Sequence, residues 1–460
     1  MVKEEHELHL KNKKGKSHPL WLLVFQNISQ IAPAGSMAAL MTGTALFSLG
    51  MLPVAYLFAL LLTVIMAYAP YQFSKRNNSS GAYYSYVSDS ISKKMGVITG
   101  HLYILYQIFN IAFIPIFFTI FMKSTIYLFT SYTIPDYLIY LLLMVPYVIT
   151  FVIAYSGIKI SLTYSIYGGV IELAILIIAG ILFITHPATT GNNIPYSINM
   201  TPLFFIAVVF ASLSFAGYGS SLPIGESIKS TGNELSKSVI ISILIAGLVF
   251  IFIAAALTIG WGLNNMKSFG TQIIPGIILS YRIAGPYFTF LLFMVVINSG
   301  ILAQLAMTNA LARVISDMSN KGALSPYLSI KDKNGTPVKS IRIVVICAIA
   351  ISVTSLLLLG PLTAFVILAI TASIANLLIH SITNTGLLFF YNKLKKKFFA
   401  VDHLFPITST VFAVITIAVS MVVLYPYEIP PLLILGYISI IYYRYSRSQK
   451  NNKINNLITG

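Results

Sequence analysis

The chain has 460 residues, of which 57% are hydrophobic and only 9% carry a charge, and its formal net charge is +17. A soluble domain carries a charge on roughly a quarter of its residues, so this composition excludes an ordinary water-soluble globular protein. The basic residues lie in short segments between apolar runs, which indicates a lipid bilayer, and no nucleic acid, as the partner of this positive charge.

The predicted elements are membrane-spanning helices. Residues 20–74 contain no Asp, Glu, Lys or Arg. One spanning helix needs about 20 residues, so two helices fit in this stretch. Breaks at glycine, proline and charged residues divide the rest of the chain into ten further runs, which predicts an all-α integral membrane protein with twelve transmembrane helices. Spans 1 to 12 are expected at residues 20–48, 51–74, 97–130, 135–156, 162–185, 203–224, 238–262, 286–315, 340–359, 361–391, 404–425 and 429–446.

The basic residues predict the direction of the spans. If the N-terminus is cytoplasmic, an even number of spans returns the C-terminus to the same side, and 26 of the 29 basic residues then face the cytoplasm. Cytoplasmic loops carry an excess of Lys and Arg, so a multi-pass protein of the cell membrane with both termini inside is expected. Residues 1–19 and 447–460 would be cytoplasmic tails, and the first span would not be cleaved.

Spans 1 and 6 each contain a stretch that disfavours a continuous helix. In span 1, Pro33 lacks a backbone donor, and Gly35 and Ser36 tolerate other backbone geometry. In span 6, Gly217 and Gly219 precede two serines and a proline, which together make a poor helix interior. Two interrupted helices are therefore expected.

The two interruptions lie five spans apart. A repeat with an odd number of helices is inserted upside down relative to its partner, so residues 20–185 and 203–391 are expected to form inverted five-helix repeats, followed by helices 11 and 12 over 404–446. In this arrangement, that of LeuT-type transporters, the broken helices meet near the bilayer midplane and form the substrate site.

Several stretches resemble the amino acid–polyamine–organocation permeases. Residues 309–318 contain an Arg-Val pair like the end of the family's eighth helix, and the loop behind it has similar Gly-x-Leu-x-Pro and Thr-Pro motifs. The sixth span has a Phe-x-Gly-aromatic motif and a Glu-x-x-Lys motif after it. The matching stretches are 157–161, 215–218, 226–229, 309–318, 322–326 and 335–338. This resemblance spans nearly the whole chain and implies a secondary transporter of amino acids that works by alternating access, and no enzyme.

The interruptions predict the substrate site. An amino acid's carboxylate can accept hydrogen bonds from amides at the start of the second half of span 1, where the helix dipole is positive. Its ammonium group can donate to the carbonyls that both breaks leave free. The resembling family binds substrate at these breaks, so the expected substrate-binding residues are Ile31, Ala32, Ala34, Gly35, Ser36, Met37, Phe215, Ala216, Gly217, Tyr218 and Gly219. The alternative interpretation is a simple kink in span 1 and close helix packing in span 6.

Three residues of span 6 refine this prediction. Phe215 and Tyr218 are candidate gates over the substrate. Gly219 stands where the resembling family often has an acid, which weakens the case for a cationic substrate and favours a neutral amino acid.

Glu172 is the one acid deep within a predicted span. A charged side chain at the bilayer centre costs about 2.5 to 3.5 kcal/mol, so this carboxylate should be protonated or paired. Some members of the resembling family have a lysine at about this position, which is proposed to replace a sodium ion. We expect Glu172 to bind and release a coupling proton, with a neutral carboxylic acid in an interhelical hydrogen bond as the alternative. Ser299 of span 8 is a candidate ligand for sodium.

The sequence thus predicts proton-coupled transport of a neutral amino acid, with no cofactor and no metal centre. Cys347, the only cysteine, excludes an internal disulfide. No phosphate-binding motif for ATP-driven transport is present. A sodium-coupled carrier, an amino acid exchanger and an amine or polyamine permease remain alternatives, and a channel is the alternative from another class of protein. The oligomeric state is not predicted.

Overall fold

A computed structural model of the chain describes residues 19–188, 202–393, 400–423 and 434–444. Every regular element within these ranges is helical. The expected N-terminal tail lies outside the described residues except for Pro19, and the expected C-terminal tail lies outside them entirely.

The helices are numbered α1 to α17 in chain order. Their bounds are Pro19–Ile31 (α1), Pro33–Ala38 (α2), Leu40–Ser48 (α3), Leu52–Met66 (α4), Tyr68–Ser74 (α5), Tyr83–Ser90 (α6), Lys93–Thr130 (α7), Asp136–Tyr155 (α8), Ile158–Thr185 (α9), Pro202–Leu213 (α10), Gly232–Trp261 (α11), Met266–Thr271 (α12), Pro275–Asn320 (α13), Val338–Leu359 (α14), Pro361–Lys393 (α15), Ala400–Val423 (α16) and 434–444 (α17). Short 3₁₀ turns lie at Leu49–Met51, Gly225–Ile228, Leu263–Asn265 and Pro326–Ser329.

Eight segments of the described chain are long and apolar enough to cross a membrane. They are Leu40–Ser74, Lys93–Thr130, Asp136–Tyr155, Ile158–Thr185, Gly232–Trp261, Pro275–Asn320, Val338–Leu359 and Pro361–Lys393. These segments overlap predicted spans 2 to 5 and 7 to 10, which confirms a multi-pass helical membrane protein. The count of twelve and the repeats stay predictions, because spans 1 and 6 are divided and parts of spans 11 and 12 lie outside the described residues.

Two helices are longer than their predicted spans. α7 begins at Lys93, four residues before the expected start, and the Ser92 hydroxyl caps it by accepting the Met95 amide at 3.2 Å. α13 begins at Pro275, and the predicted start of span 8 coincides with a kink at Gly285, where φ is 72°. The first residues of α7 are too polar to be recognised as part of an apolar run, and the first part of α13 is separated from the apolar run by the kink.

Span 1 is interrupted at Ala32, as predicted. Ala32 has φ 52° and ψ 69°, which is left-handed geometry that a helix interior excludes. Pro33 then begins α2, where its missing amide hydrogen costs no hydrogen bond. A second discontinuity at Ala39, with φ −113° and ψ −59°, separates α2 from α3. The span is therefore three short helices end to end.

Span 6 is also interrupted, but its second half is not an α-helix. α10 ends at Leu213, and residues 214–224 form successive turns closed by i to i+3 backbone hydrogen bonds. Gly217 has φ 126°, which lies outside the region that other residues favour. The sequence predicted an interrupted helix for span 6. The structure has one helix, α10, followed by consecutive tight turns.

The two interruptions lie against each other. A Cβ added to Gly217 would stand 2.9 Å from the carbonyl carbon of Gln30, one residue before the end of α1. The Asn27 side chain accepts the Ser221 amide at 2.7 Å, and the Gln26 side chain donates to the Ser220 hydroxyl at 2.9 Å. Polar side chains of α1 therefore hold the turns of span 6 in place.

Replacing Gly217 by alanine tests this contact. Alanine at this φ and at this distance from Gln30 should destabilise the protein by at least about 1 kcal/mol. Gly43→Ala is the matched control, because a Cβ there would be 3.6 Å from its nearest neighbour, Phe210. The thermal midpoint of the detergent-purified protein should fall in Gly217→Ala and stay near wild type in Gly43→Ala. Equal midpoints in the two variants would contradict the close packing of the interruptions.

Candidate functional site

A carboxylate from another span caps the interruption in span 1. Oε1 of Glu172, on α9, accepts hydrogen bonds from the Ala34 amide and from the Ser299 hydroxyl, each at 2.7 Å. The Ser299 hydroxyl, on α13, accepts the Gly35 amide at 3.1 Å. The first amides of a helix have no partner within the helix. Glu172 and Ser299 supply those partners, and they tie spans 1, 5 and 8 together.

This arrangement changes the predicted role of the amides at the start of α2. The sequence assigned them to a substrate carboxylate, but in this structure Ala34 and Gly35 bond to Glu172 and Ser299. The Ser36 amide bonds to the Ala32 carbonyl at 2.8 Å. The structure also brings Glu172 and Ser299 together, although the sequence proposed them as two separate ion sites. Nothing local to either residue indicates this contact, since 127 positions separate them.

The second oxygen of Glu172 is buried and has no hydrogen-bond partner among the described residues. The whole side chain is shielded from solvent. A buried charge without an opposite charge beside it is strongly unfavourable, so an oxygen in this position suits a proton.

The interruption in span 6 leaves main-chain groups unused. No hydrogen bond between described residues reaches the carbonyls of Phe215, Ala216 and Tyr218, which are three of the acceptors that the sequence assigned to an ammonium group. The amides of Gly217 and Gly219 donate none either. Buried backbone groups are almost always paired, so unused groups here are available to a ligand.

A cavity of about 370 Å³ lies beside both interruptions. The predicted site residues that line it are Ile31, Ala32, Gly35, Ser36 and Ala216. The other predicted site residues are neighbours of these residues in the chain but do not line the cavity. These are Ala34, Met37, Phe215, Gly217, Tyr218 and Gly219.

The two candidate gates, Phe215 and Tyr218, do not line this cavity. The Phe215 ring meets the Phe250 ring of α11 edge to face, with 5.2 Å between centroids. The Tyr218 hydroxyl lies 3.1 Å from Nδ1 of His380 on α15. Both side chains are buried in these contacts.

Sequence reasoning missed the walls that α7 and α15 contribute. Phe113, Phe117 and Phe121 recur every four residues and so lie on one face of α7, where they line the cavity together with Phe365 of α15. That spacing is visible in the sequence. The sequence does not show, however, which face of a uniformly apolar helix lines a cavity.

A cluster of buried tyrosines, called here the tyrosine layer, lies beside this cavity, and Tyr106 is one of the residues that line it. Tyr83 of α6 and Tyr103 of α7 have ring centroids 5.7 Å apart, and Tyr103 and Tyr106 are 6.0 Å apart. The Gln107 side chain donates to the Tyr103 hydroxyl at 2.8 Å, and Gln30 donates to that of Tyr106 at 3.2 Å. These buried rings and their hydrogen bonds connect α1, α6 and α7 beside the cavity.

Hydrogen bonds also connect the segments near Tyr83, several of whose residues line a second cavity of about 620 Å³. Lys321, at the end of α13, donates to Ser79 at 3.1 Å and to Ser85 at 2.8 Å, and pairs with Asp317 at 2.7 Å. Glu226 accepts both the amide and the hydroxyl of Ser80, and the hydroxyl bond lowers the pKa of Glu226 below its ordinary value. The segment before α6 is therefore held both by α13 and by the exit of span 6.

A family model described as amino acid permease matches residues 23–443 of the chain. This range includes both interruptions, Glu172, Ser299 and every residue that lines the 370 Å³ cavity. No curated protein matches the chain.

Proposed function

The chain belongs to the amino acid permease family, and from this premise we propose that it carries a neutral amino acid across the cell membrane by proton-coupled alternating access. The observation that carries this proposal is the position of the cavity. The cavity adjoins the two interrupted spans, which touch each other. Span 6 has backbone groups without hydrogen-bond partners among the described residues.

The substrate's charged groups would bind the backbone of span 6. The free carbonyls of Phe215 and Ala216 suit an ammonium group, and the free amides of Gly217 and Gly219 suit a carboxylate. A zwitterion satisfies acceptors and donors at once, which matters where no water can replace it. Ala216 lines the cavity, so the substrate's side chain would extend from this point into it.

Glu172 would couple transport to a proton. As an ionised carboxylate it holds the Ala34 amide at the positive end of α2, and it does so less strongly once it is neutral. Binding or release of a proton would therefore change how firmly span 1 is attached to span 5. The Ser299 hydroxyl donates to Glu172 and accepts the Gly35 amide, so one of its two lone pairs is left for a sodium ion.

The orientation and the repeats belong to the same proposal. With both termini in the cytoplasm, α7 would begin on the cytoplasmic side, so the tyrosine layer would lie between the aromatic wall of the cavity and the cytoplasm. Inverted repeats over 20–185 and 203–391 would let the two interrupted spans move against the rest of the bundle. None of the described residues that line the cavity has a carboxylate, which argues against an amine or polyamine as substrate.

Uptake by the purified protein in liposomes tests this function. A panel of radiolabelled amino acids should show saturable uptake of neutral members, and an inward proton gradient should increase it where an inward sodium gradient does not. Counterflow with unlabelled substrate separates a carrier from a channel, because only a carrier exchanges one molecule for another. Absence of uptake of every amino acid, or flux that does not saturate, would contradict the proposal.

Glu172→Gln tests the coupling step. The amide oxygen of glutamine can still accept the Ala34 and Ser299 bonds, but the side chain cannot exchange a proton at physiological pH. Uptake driven by a proton gradient should fall by at least about tenfold, while counterflow at equal pH should persist. Glu234→Gln is the control, because Glu234 only caps the start of α11. Unchanged gradient-driven uptake in Glu172→Gln would remove Glu172 from the mechanism.

A further inference from the structure

We infer that the cavity selects amino acids with a large apolar side chain, aromatic or branched aliphatic. The inference rests on the proposed function, because it takes the cavity beside Ala216 as the compartment for the substrate's side chain. Four properties of the cavity support the inference: the charge of its lining residues, the hydrogen-bond partners of their polar groups, its aromatic wall and its volume.

The described lining residues include no Asp, Glu, Lys, Arg or His. The polar ones are Gln30, Ser36, Tyr106, Asn110 and Ser373. A charged substrate side chain would therefore enter the cavity without a counter-charge. Burial of an unpaired charge is far more costly than burial of an apolar group, so acidic and basic amino acids are disfavoured.

Several donors of the polar lining groups are already used within the protein. Ser36 donates to the Ile31 carbonyl, Asn110 to the Tyr106 carbonyl and Ser373 to the Ala369 carbonyl, at 3.1, 2.7 and 2.8 Å. Gln30 donates to Tyr106 and exchanges hydrogen bonds with Gln107. A substrate side chain that needs these donors would have to replace their present bonds, and a buried polar group left without a partner is costly.

Aromatic rings form much of the wall. The rings of Phe113 and Phe117 on α7 lie 5.4 and 5.6 Å from that of Phe365 on α15, and Phe117 and Phe121 are stacked at 5.7 Å. Phe210 of α10 lines the same space. Aromatic pairs gain energy beyond their buried area, so a substrate ring is well suited to this wall.

The size of the cavity favours a large side chain. Its volume of about 370 Å³ lies within the range of small-molecule sites, which is about 300 to 1,000 Å³. Gly43 of α3 and Gly300 of α13 both line it, so two spans contribute no side chain at these points. A Cβ at either glycine would be 3.5 Å or more from its nearest neighbouring atom, so neither glycine is in tight contact with a neighbouring helix.

The first measurement is competition in the liposome uptake assay. Phenylalanine and leucine should compete at concentrations at least tenfold lower than alanine, serine, lysine or glutamate. If small or charged amino acids compete better, this inference is wrong while the proposed function stands. If the protein transports no amino acid, both are wrong.

The second measurement assigns the selectivity to this cavity. Gly300→Leu places a side chain where a Cβ has room, and it should raise KM for phenylalanine at least tenfold more than KM for alanine. The milder Gly43→Ala/Gly300→Ala variant should shift the ratio in the same direction if Gly300→Leu does not fold. Gly276→Ala is the matched control, because its Cβ has room beside Met37 but Gly276 does not line the cavity. A ratio unchanged in both cavity variants would show that the side chain binds elsewhere.

Discussion

The structure depends on one constraint: backbone groups released by an interrupted helix have no water to bond with inside a bilayer. Span 1 meets it with side chains from elsewhere, because Glu172 and Ser299 bond to the amides that α2 leaves free. Span 6 meets it only in part. Asn27 bonds to Ser221, but the main chain around Ala216 keeps donors and acceptors without partners among the described residues. We propose that the substrate binds the backbone groups that span 6 leaves without partners.

The two interruptions therefore differ in their partners. Glu172 of span 5 holds span 1 through a group that can gain or lose a proton, and Ala216, whose carbonyl has no partner among the described residues, lines the cavity. Gly217 links the two, because it packs directly on the end of α1. A change in how firmly Glu172 holds α2 would therefore reach the proposed substrate site through contact between neighbouring segments, with no long pathway between them.

The sequence predicted what depends on local chemistry. Pro33 and Gly217 act within one turn of the chain, so the two interruptions were located correctly, and long apolar runs identified the eight helices that can cross a membrane. It could not predict which distant group satisfies a freed amide, because the meeting of Glu172 with Ala34 depends on how α9 is rotated against α2. The aromatic wall of α7 was missed for the same reason: an apolar helix shows no single face that must point inward.

The most direct test of the account is an experimental structure of the protein in lipid nanodiscs with a transported neutral amino acid at saturating concentration. The account predicts that the ligand's ammonium and carboxylate groups contact the main chain between Phe215 and Gly219, with its side chain in the aromatic cavity and Glu172 beside Ala34. Continuous helices through Ala32 and Gly217, or a ligand bound away from both, would contradict it.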